Sequence, residues 1–407
     1  MRNDDFSRCV FGVCVTTMLF AACSAPGATP QGVVISAPPM VVHRSGTADA
    51  SSYNVLYVFG NHVGSSPTPY VPRAALIDVN GILYGTTQAG GVTADAGTVF
   101  SMSTAGEAQV LHSFTYSAAG KYPFASLIDV DGILYGTTSA KGLNGGGAVF
   151  AVSTAGTVRV LHGFGGGSDG TRPYASLIDV NGALYGTTYG GGTHGQGTVF
   201  SITTSGTEHV LHSFNGDNTD GWNPNASLTD VNGTLYGTTV NGGASGQGTV
   251  FSITTSGSEH VLYSFSGIPD GGHPSASLID VNGTLYGTTV LGGTHGDGTI
   301  FSMTTSGRES VLHSFSGHPS DGANPHASLI DVKGTLYGTT SSGGANGLGT
   351  VFSFGTIGKA QVLHSFTGYP SDGANPNASL IDVKGMLYGT TSFGGTYKRG
   401  TAFTLSP

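Results

Sequence analysis

Beyond residue 23 the chain contains no cysteine: all three, Cys9, Cys14 and Cys23, lie at its N-terminal end. A disulfide framework and a cysteine-based metal site are therefore excluded from the body of the protein. Charge is scarce as well. Only 9% of residues are charged, the 14 Lys and Arg form no basic cluster, and the net charge is −9. That argues against nucleic acid as a partner, because phosphate binding needs concentrated cations. There is a single tryptophan, Trp222. No segment places apolar residues at helical spacing, and good helix formers are few. Thr, Val, Ser and Tyr are plentiful and stand among 69 glycines, a bias towards strands and turns.

At the N-terminus, Arg2 and Arg8 precede the apolar run CVFGVCVTTMLFAA, which ends at Cys23. The run is too short for a membrane span and reads as a signal-peptide core. Leu19-Phe20-Ala21-Ala22-Cys23 resembles a bacterial lipobox, in which the cysteine is lipidated and becomes the mature N-terminus. Phe20 and the acidic pair Asp4 and Asp5 depart from that pattern, and cleavage after Ala25 is the alternative. The expected organisation is a signal peptide with lipobox over 1–23, a flexible Pro-, Ala- and Ser-rich tether over 24–53, and a single repeat domain over 54–407.

That domain is periodic. LYGTT begins at residues 83, 134, 184, 235, 285, 336 and 387, at steps of 50 or 51. Each repeat holds four strand-sized pieces bounded by turn residues. In the fourth copy these are ASLTDV (226–231), TLYGTT (234–239), GTVFSIT (248–254) and EHVLYSF (259–265). Asn232-Gly233 joins the first two, a strong hairpin signal because both turn positions take positive φ. The motif VLxxF follows the third strand only six times, at 110, 160, 210, 261, 311 and 362. The seventh copy stands in front, at Val55–Phe59. The ends are thus permuted, and the N-terminal strand is expected to complete the last blade of an all-β, seven-bladed β-propeller. Closing the ring removes edges that would otherwise invite aggregation.

LYGTT, GG, GTVF, VLHSF and DGxxP together resemble the GloVer tandem repeat of bacterial exported proteins with varied anchors, over residues 54–407. The strand order also resembles kelch repeats, without their GG and tryptophan signatures. The GloVer resemblance implies repeat architecture and export and assigns no catalytic residue.

Most recurring residues read as structural. The Tyr of LYGTT is expected to pack between blades, with the following Gly admitting a neighbour. The Asp of LIDV, two residues before a hairpin Gly, is expected to accept turn amides. Symmetric carboxylates also lack the difference in environment that separates an acid from a base. His112, His162, His212, His313 and His364 share a fourth-strand position with Tyr57 and Tyr263, an interchange that does not suit a metal ligand. The GGxxGxG loops lead into strands, whereas phosphate loops lead into helices. DGxxP, with one carboxylate per loop, falls short of a calcium site. No catalytic residue, metal ligand or cofactor is assigned.

Function is expected where symmetry breaks. The hairpins DVNG and TSG are short and share one rim; the Gly-rich and DGxxP loops share the other, around the channel mouth. Candidate ligand-binding residues there are Trp222, Asn223, Asn225, Arg172, Tyr174, His194, His273, His295, Tyr122 and Tyr397, with Phe124, His318, His326, Tyr369, Lys398 and Arg399 beside them. Aromatic faces next to amides suit a glycan or a peptide. The expectation is an exported, envelope-attached, non-enzymatic binding or scaffold protein. It is a monomer that touches the membrane only through a lipid on Cys23, as an outer-membrane lipoprotein or a periplasmic or extracellular protein. Its partner is an envelope polysaccharide or protein. The alternative is a propeller enzyme, such as a glycosidase or lyase, acting on an extracellular polymer.

Overall fold

The computed structural model describes residues 52–60, 68–92, 95–355 and 358–407. The signal peptide, Cys23 and nearly all of the tether lie outside the described residues. Seven four-stranded antiparallel sheets follow one another as the blades of a β-propeller. Blade one consists of Ile77–Val79, Ile82–Thr87, Thr98–Ser103 and Ala108–Ser113. Blades two to six repeat this order. Blade seven takes Ile381–Val383, Met386–Thr391 and Thr401–Leu405 from the end of the sequence and Tyr53–Val58 from its beginning. Tyr53 pairs with Leu405 and Val58 with Thr401, so the permuted strand closes the ring.

LYGTT is the second strand of every blade, and each of its residues has a task. Leu83 is fully buried and Tyr84 nearly so. Tyr84, Val99 and Phe114 of blade one share a cluster with Leu127, Leu134 and Phe150 of blade two, which places the apolar core between neighbouring blades. The glycine leaves room for the third-strand phenylalanine. A methyl group at Gly237 would lie 2.4 Å from Phe251 Cζ, and the equivalent gap at Gly136 is 2.8 Å. The first threonine reaches the next blade: Thr86 donates to the Ala125 carbonyl at 3.0 Å and Thr187 to Ala226 at 3.1 Å. Thr390 returns to Ala74 at 3.2 Å across the closing seam. The second threonine bonds within its own blade, as Thr239 does to Thr249 at 2.7 Å.

The VLxxF phenylalanine meets the third-strand phenylalanine of the following blade edge to face. Phe114–Phe150 lie 5.1 Å apart between ring centres, and the seam pair Phe59–Phe100 lie 5.4 Å apart. Offset and edge-on ring pairs add to area burial. The leucine of the motif sits in a β-bulge, where the register slips between Val99 and Phe100 opposite Leu111. Bulges bend and twist the outer strand, and Leu111 packs on the core shared with blade two.

One difference from the sequence reading concerns the first strand. Expected over 226–231, it is a ladder only at Thr229–Val231. Ala226 and Ser227 turn instead towards neighbouring blades. Ala226 accepts the Thr187 hydroxyl, and the Ser227 amide donates to Ser277 Oγ at 3.0 Å. Side-chain bonds between blades replace the ladder bonds, which a strand pattern does not reveal.

Candidate functional site

The segments that leave the ladder line a central cavity of about 450 Å³. Each blade contributes three consecutive residues, the x-Ala-Ser (Ala in place of Ser in blade one) that follows the loop proline. Deepest are the serines. Their hydroxyls accept amides of the neighbouring blade, as in Ser277 N to Ser328 Oγ at 2.9 Å and Ser328 N to Ser379 Oγ at 3.0 Å. Blade one carries Ala75 there, whose amide still donates to Ser126 Oγ. The alanines above them accept the threonine hydroxyls described above.

The uppermost ring, next to the loop-rich rim, differs in every blade except two: Arg73, Phe124, Tyr174, Asn225, Ser275, His326 and Asn377. Here sevenfold symmetry is broken at the axis. Phe124 and Tyr174 meet edge to face at 5.1 Å, and Tyr174 in turn contacts Tyr189. The Arg73 guanidinium lies 5.6 Å from the centre of the Phe124 ring. Its Nε is shielded from water without a hydrogen-bond partner among the described residues, an unmet donor that costs about 1–3 kcal/mol. Burial pulls the Arg73 pKa down, yet a guanidinium stays charged throughout the physiological range. His326 is exposed to the channel, with Nδ1 3.3 Å from Ser275 Oγ. The packing around it lowers its pKa and the Arg73 charge adds to the effect, so its imidazole is neutral at neutral pH. Asn377 donates to Asn375 O and Ser392 Oγ.

Of the sequence candidates, Tyr174 and Asn225, with Phe124 and His326, line this cavity. The others occupy the surrounding loops. Tyr122, Arg172, Asn223 and His273 each precede the loop proline and all have φ between 54° and 61°. That position is a fixed corner whose amide bonds to the Gly-rich loop, as in Asn223 N to Gln196 O at 2.8 Å. Asn223 Nδ2 donates to Tyr189 O, and His273 Nδ1 lies 2.9 Å from Val240 O, so these two side chains hold neighbouring backbone. Trp222 packs across Gly216 in a two-residue ribbon that pairs with Asn241–Gly242. His194 and His295 are exposed at equivalent loop tips, each against the preceding threonine. Arg172 lies over Tyr189, Lys398 over Tyr369 and Arg399 over Tyr70. Tyr397 is exposed, and His318 Nδ1 sits 2.9 Å from Gly344 O. Sequence reasoning missed Arg73, Ser275 and Asn377. The signal was available: in P-x-A-S, x varies while its neighbours repeat.

The fourth-strand histidines acquire a specific role. His313 and His364 lie 3.1 Å from Oδ2 of Asp321 and Asp372, and Tyr263 donates to Asp270 Oδ2 at 3.0 Å. The same oxygen accepts the loop amide of Ser316, Thr367 or Ser266. Tyr263 can stand in for His because both donate to this aspartate, the D of DGxxP; the loops after Tyr57 and His112 carry no aspartate there. Burial pushes the Asp372 carboxyl up, but bonds from His364, Tyr53 and the Thr367 amide outweigh it and hold the pKa below the usual range. The next blade adds a glutamate at three junctions. The ligand-type atoms of His162, Asp169 and Glu208 lie within 4.8 Å of one another, as do those of His212, Asp220 and Glu259. Burial raises the Glu208 pKa and lifts those of Glu259 and Glu309 to about 7. The aspartate oxygens at these places already accept backbone amides, as Asp169 does from Gly165 and Gly170. The same pair of amides recurs at Asp321 and Asp372, so loop amides order the aspartate with or without a neighbouring glutamate, while Glu208, Glu259 and Glu309 each keep Oε1 shielded from water with no hydrogen-bond partner among the described residues.

Comparison with known proteins agrees with this repeat. The model of the Gloeobacter/Verrucomicrobia repeat matches residues 17–245 and 223–407. The chain belongs to the Gloeobacter/Verrucomicrobia repeat family. No curated protein matches it. Among solved structures, a gluconolactonase from Xanthomonas campestris is 15% identical and covers 67% of this chain and 82% of its own, with a TM-score of 0.40. PorZ, a surface component of the type-IX secretion system of Porphyromonas gingivalis, is 15% identical over 76% of this chain and 44% of its own, with a TM-score of 0.43. Likenesses this distant carry nothing about the activity of this Gloeobacter/Verrucomicrobia repeat protein. Its site is read from its own residues.

Proposed function

We propose that the protein is an exported, envelope-attached binding protein that takes its ligand at the loop-rich mouth of the channel. One observation carries this reading: a rigid ring holds Arg73, Phe124, Tyr174, Asn225, Ser275, His326 and Asn377 around one cavity of about 450 Å³. Binding sites are commonly concave and combine apolar walls with a few placed polar groups. The lining residues include no Asp or Glu, so the mouth offers no carboxylate pair for glycoside hydrolysis, which weighs against a two-carboxylate glycosidase. Attachment to the envelope through a lipid on Cys23 is part of the same proposal and rests on the lipobox-like run.

The test is retention of the full-length protein on glycan and peptide arrays, repeated with Tyr174→Ala and Asn225→Ala. Binding that both substitutions weaken supports the reading. Turnover of a glycoside by the purified protein, with no ligand retained, overturns it in favour of an enzyme. Cys23→Ser should release the protein from membranes, and continued membrane retention would remove the anchor.

A further inference from the structure

We infer that the ligand held at this mouth is an acidic saccharide of the uronate class, its carboxylate taken by Arg73. The inference rests on the binding function proposed above and adds the ligand's charge and chemical class.

Arg73 is the one permanently charged residue among those lining the cavity. The molecule as a whole carries −9, a field that repels anions, so a lone cation at the axis marks a local exception. No carboxylate neutralises it: the ion pairs among the described residues are the His–Asp contacts at the blade edges. Its Nε is shielded from water and lacks a partner among the described residues, which leaves the terminal NH2 groups to meet a ligand. The guanidinium lies over the Phe124 ring, 5.6 Å from its centre. A guanidinium's planar fork of donors matches a carboxylate more closely than a single-point donor would.

The rest of the ring is neutral and suits hydroxyl groups. Asn225 brings an amide, Ser275 and Tyr174 bring hydroxyls, and His326 brings an uncharged imidazole. Phe124 and Tyr174 add aromatic surface of the kind that packs on the C–H faces of a sugar ring. A second basic residue, which a doubly charged phosphate would favour, is not among the lining residues. An acidic peptide shares the carboxylate but has less use for a ring of neutral donors and acceptors, so it serves as a competing arm of the test.

The experiment is calorimetric titration of the full-length protein with galacturonate oligomers, the same oligomers as methyl esters, sulfated oligosaccharides and an oligoglutamate peptide. The acid oligomer should bind at least about tenfold more tightly than its ester, a charge-assisted bond being worth ~1.5 kcal/mol or more. Added salt should narrow that gap. Arg73→Ser should abolish the preference without loss of thermal stability, because Ser275 fills the same position in blade five. Arg73→Lys should keep part of it. Equal affinity for acid and ester, or a preference that survives Arg73→Ser, overturns the carboxylate assignment and leaves the binding function standing. Tighter binding of oligoglutamate or of the sulfated sugar overturns the uronate class. Binding of no saccharide or peptide overturns the proposed function itself.

Discussion

The hydroxyl of Thr390 donates to the carbonyl of Ala74 at 3.2 Å, joining residues 316 positions apart in the chain. The same bond recurs between consecutive blades, and here it fastens the last blade to the first. Thr390→Val keeps the side-chain shape and removes the donor. It should cost about 1–3 kcal/mol, because the buried Ala74 carbonyl is left unmet. Urea unfolding measures the loss. A variant as stable as the parent would show that the other contacts across it, the Phe59–Phe100 packing and the Val71 N to Arg399 O bond among them, carry the seam.

Val71 is a β-branched residue at φ 58°, in a corner that Asn occupies in three other blades at φ 52° to 57°. A non-glycine residue in this region costs about 1–2 kcal/mol, and Asn tolerates it better. Asn375 also donates from Nδ2 to Ser341 O at 2.8 Å. Val71→Asn should therefore raise stability by about 1 kcal/mol, read as a higher melting temperature. A fall would show that the valine side chain packs more usefully than its backbone is strained.

Gly237 is predicted to be closed to any side chain, since an added methyl would sit 2.4 Å from Phe251 Cζ. Gly237→Ala should cost about 1–3 kcal/mol by overpacking. Combining it with Phe251→Leu should restore part of that loss, so a double-mutant cycle is the measurement. Strict additivity would place the cost in the backbone and not in the contact.

The Glu259 carboxyl is pushed up to about 7, mainly by burial; the Asp220 charge adds to the rise and His212 opposes it. Unfolded, it titrates near pH ~4.3. Between those values the native state holds a proton that the unfolded chain has released. Stability thus declines as pH rises through this window, and the penalty is complete above it. Glu259→Gln should melt higher than the parent at pH 8 and at the same temperature at pH 4. An equal gain at both values would assign the effect to packing. Glu309, also held at about 7 mainly by burial, should behave alike in Glu309→Gln.

What the sequence made legible was whatever recurs. Hairpins announced themselves through Asn-Gly pairs; Asn232 and Gly233 indeed take φ 54° and 84°. The displaced Val55–Phe59 copy gave away the ring closure. Two things stayed hidden for physical reasons. Ala226–Leu228 reads as strand by composition, yet its bonds run between blades through threonine and serine hydroxyls, which no alternating pattern records. Glu208 approaches His162 and Asp169 from the following blade, a meeting that depends on how blades stack and not on spacing along one strand. Arg73, Ser275 and Asn377 looked like ordinary loop residues because each stands alone, and their common address emerged only once the channel was built.

The uppermost ring has a consequence for how such proteins diversify. Every x in P-x-A-S lies between a proline that sets the approaching backbone and an alanine whose carbonyl is tied to the preceding blade. The scaffold thus takes most of its bonds from main chain and from the repeated neighbours, leaving x free to vary except where, as at Asn377, its side chain also holds the loop. Seven positions can be rewritten one at a time with little structural cost, like characters in a short word spelled around one axis. A change of ligand in this family would then be spelling, with the frame left untouched.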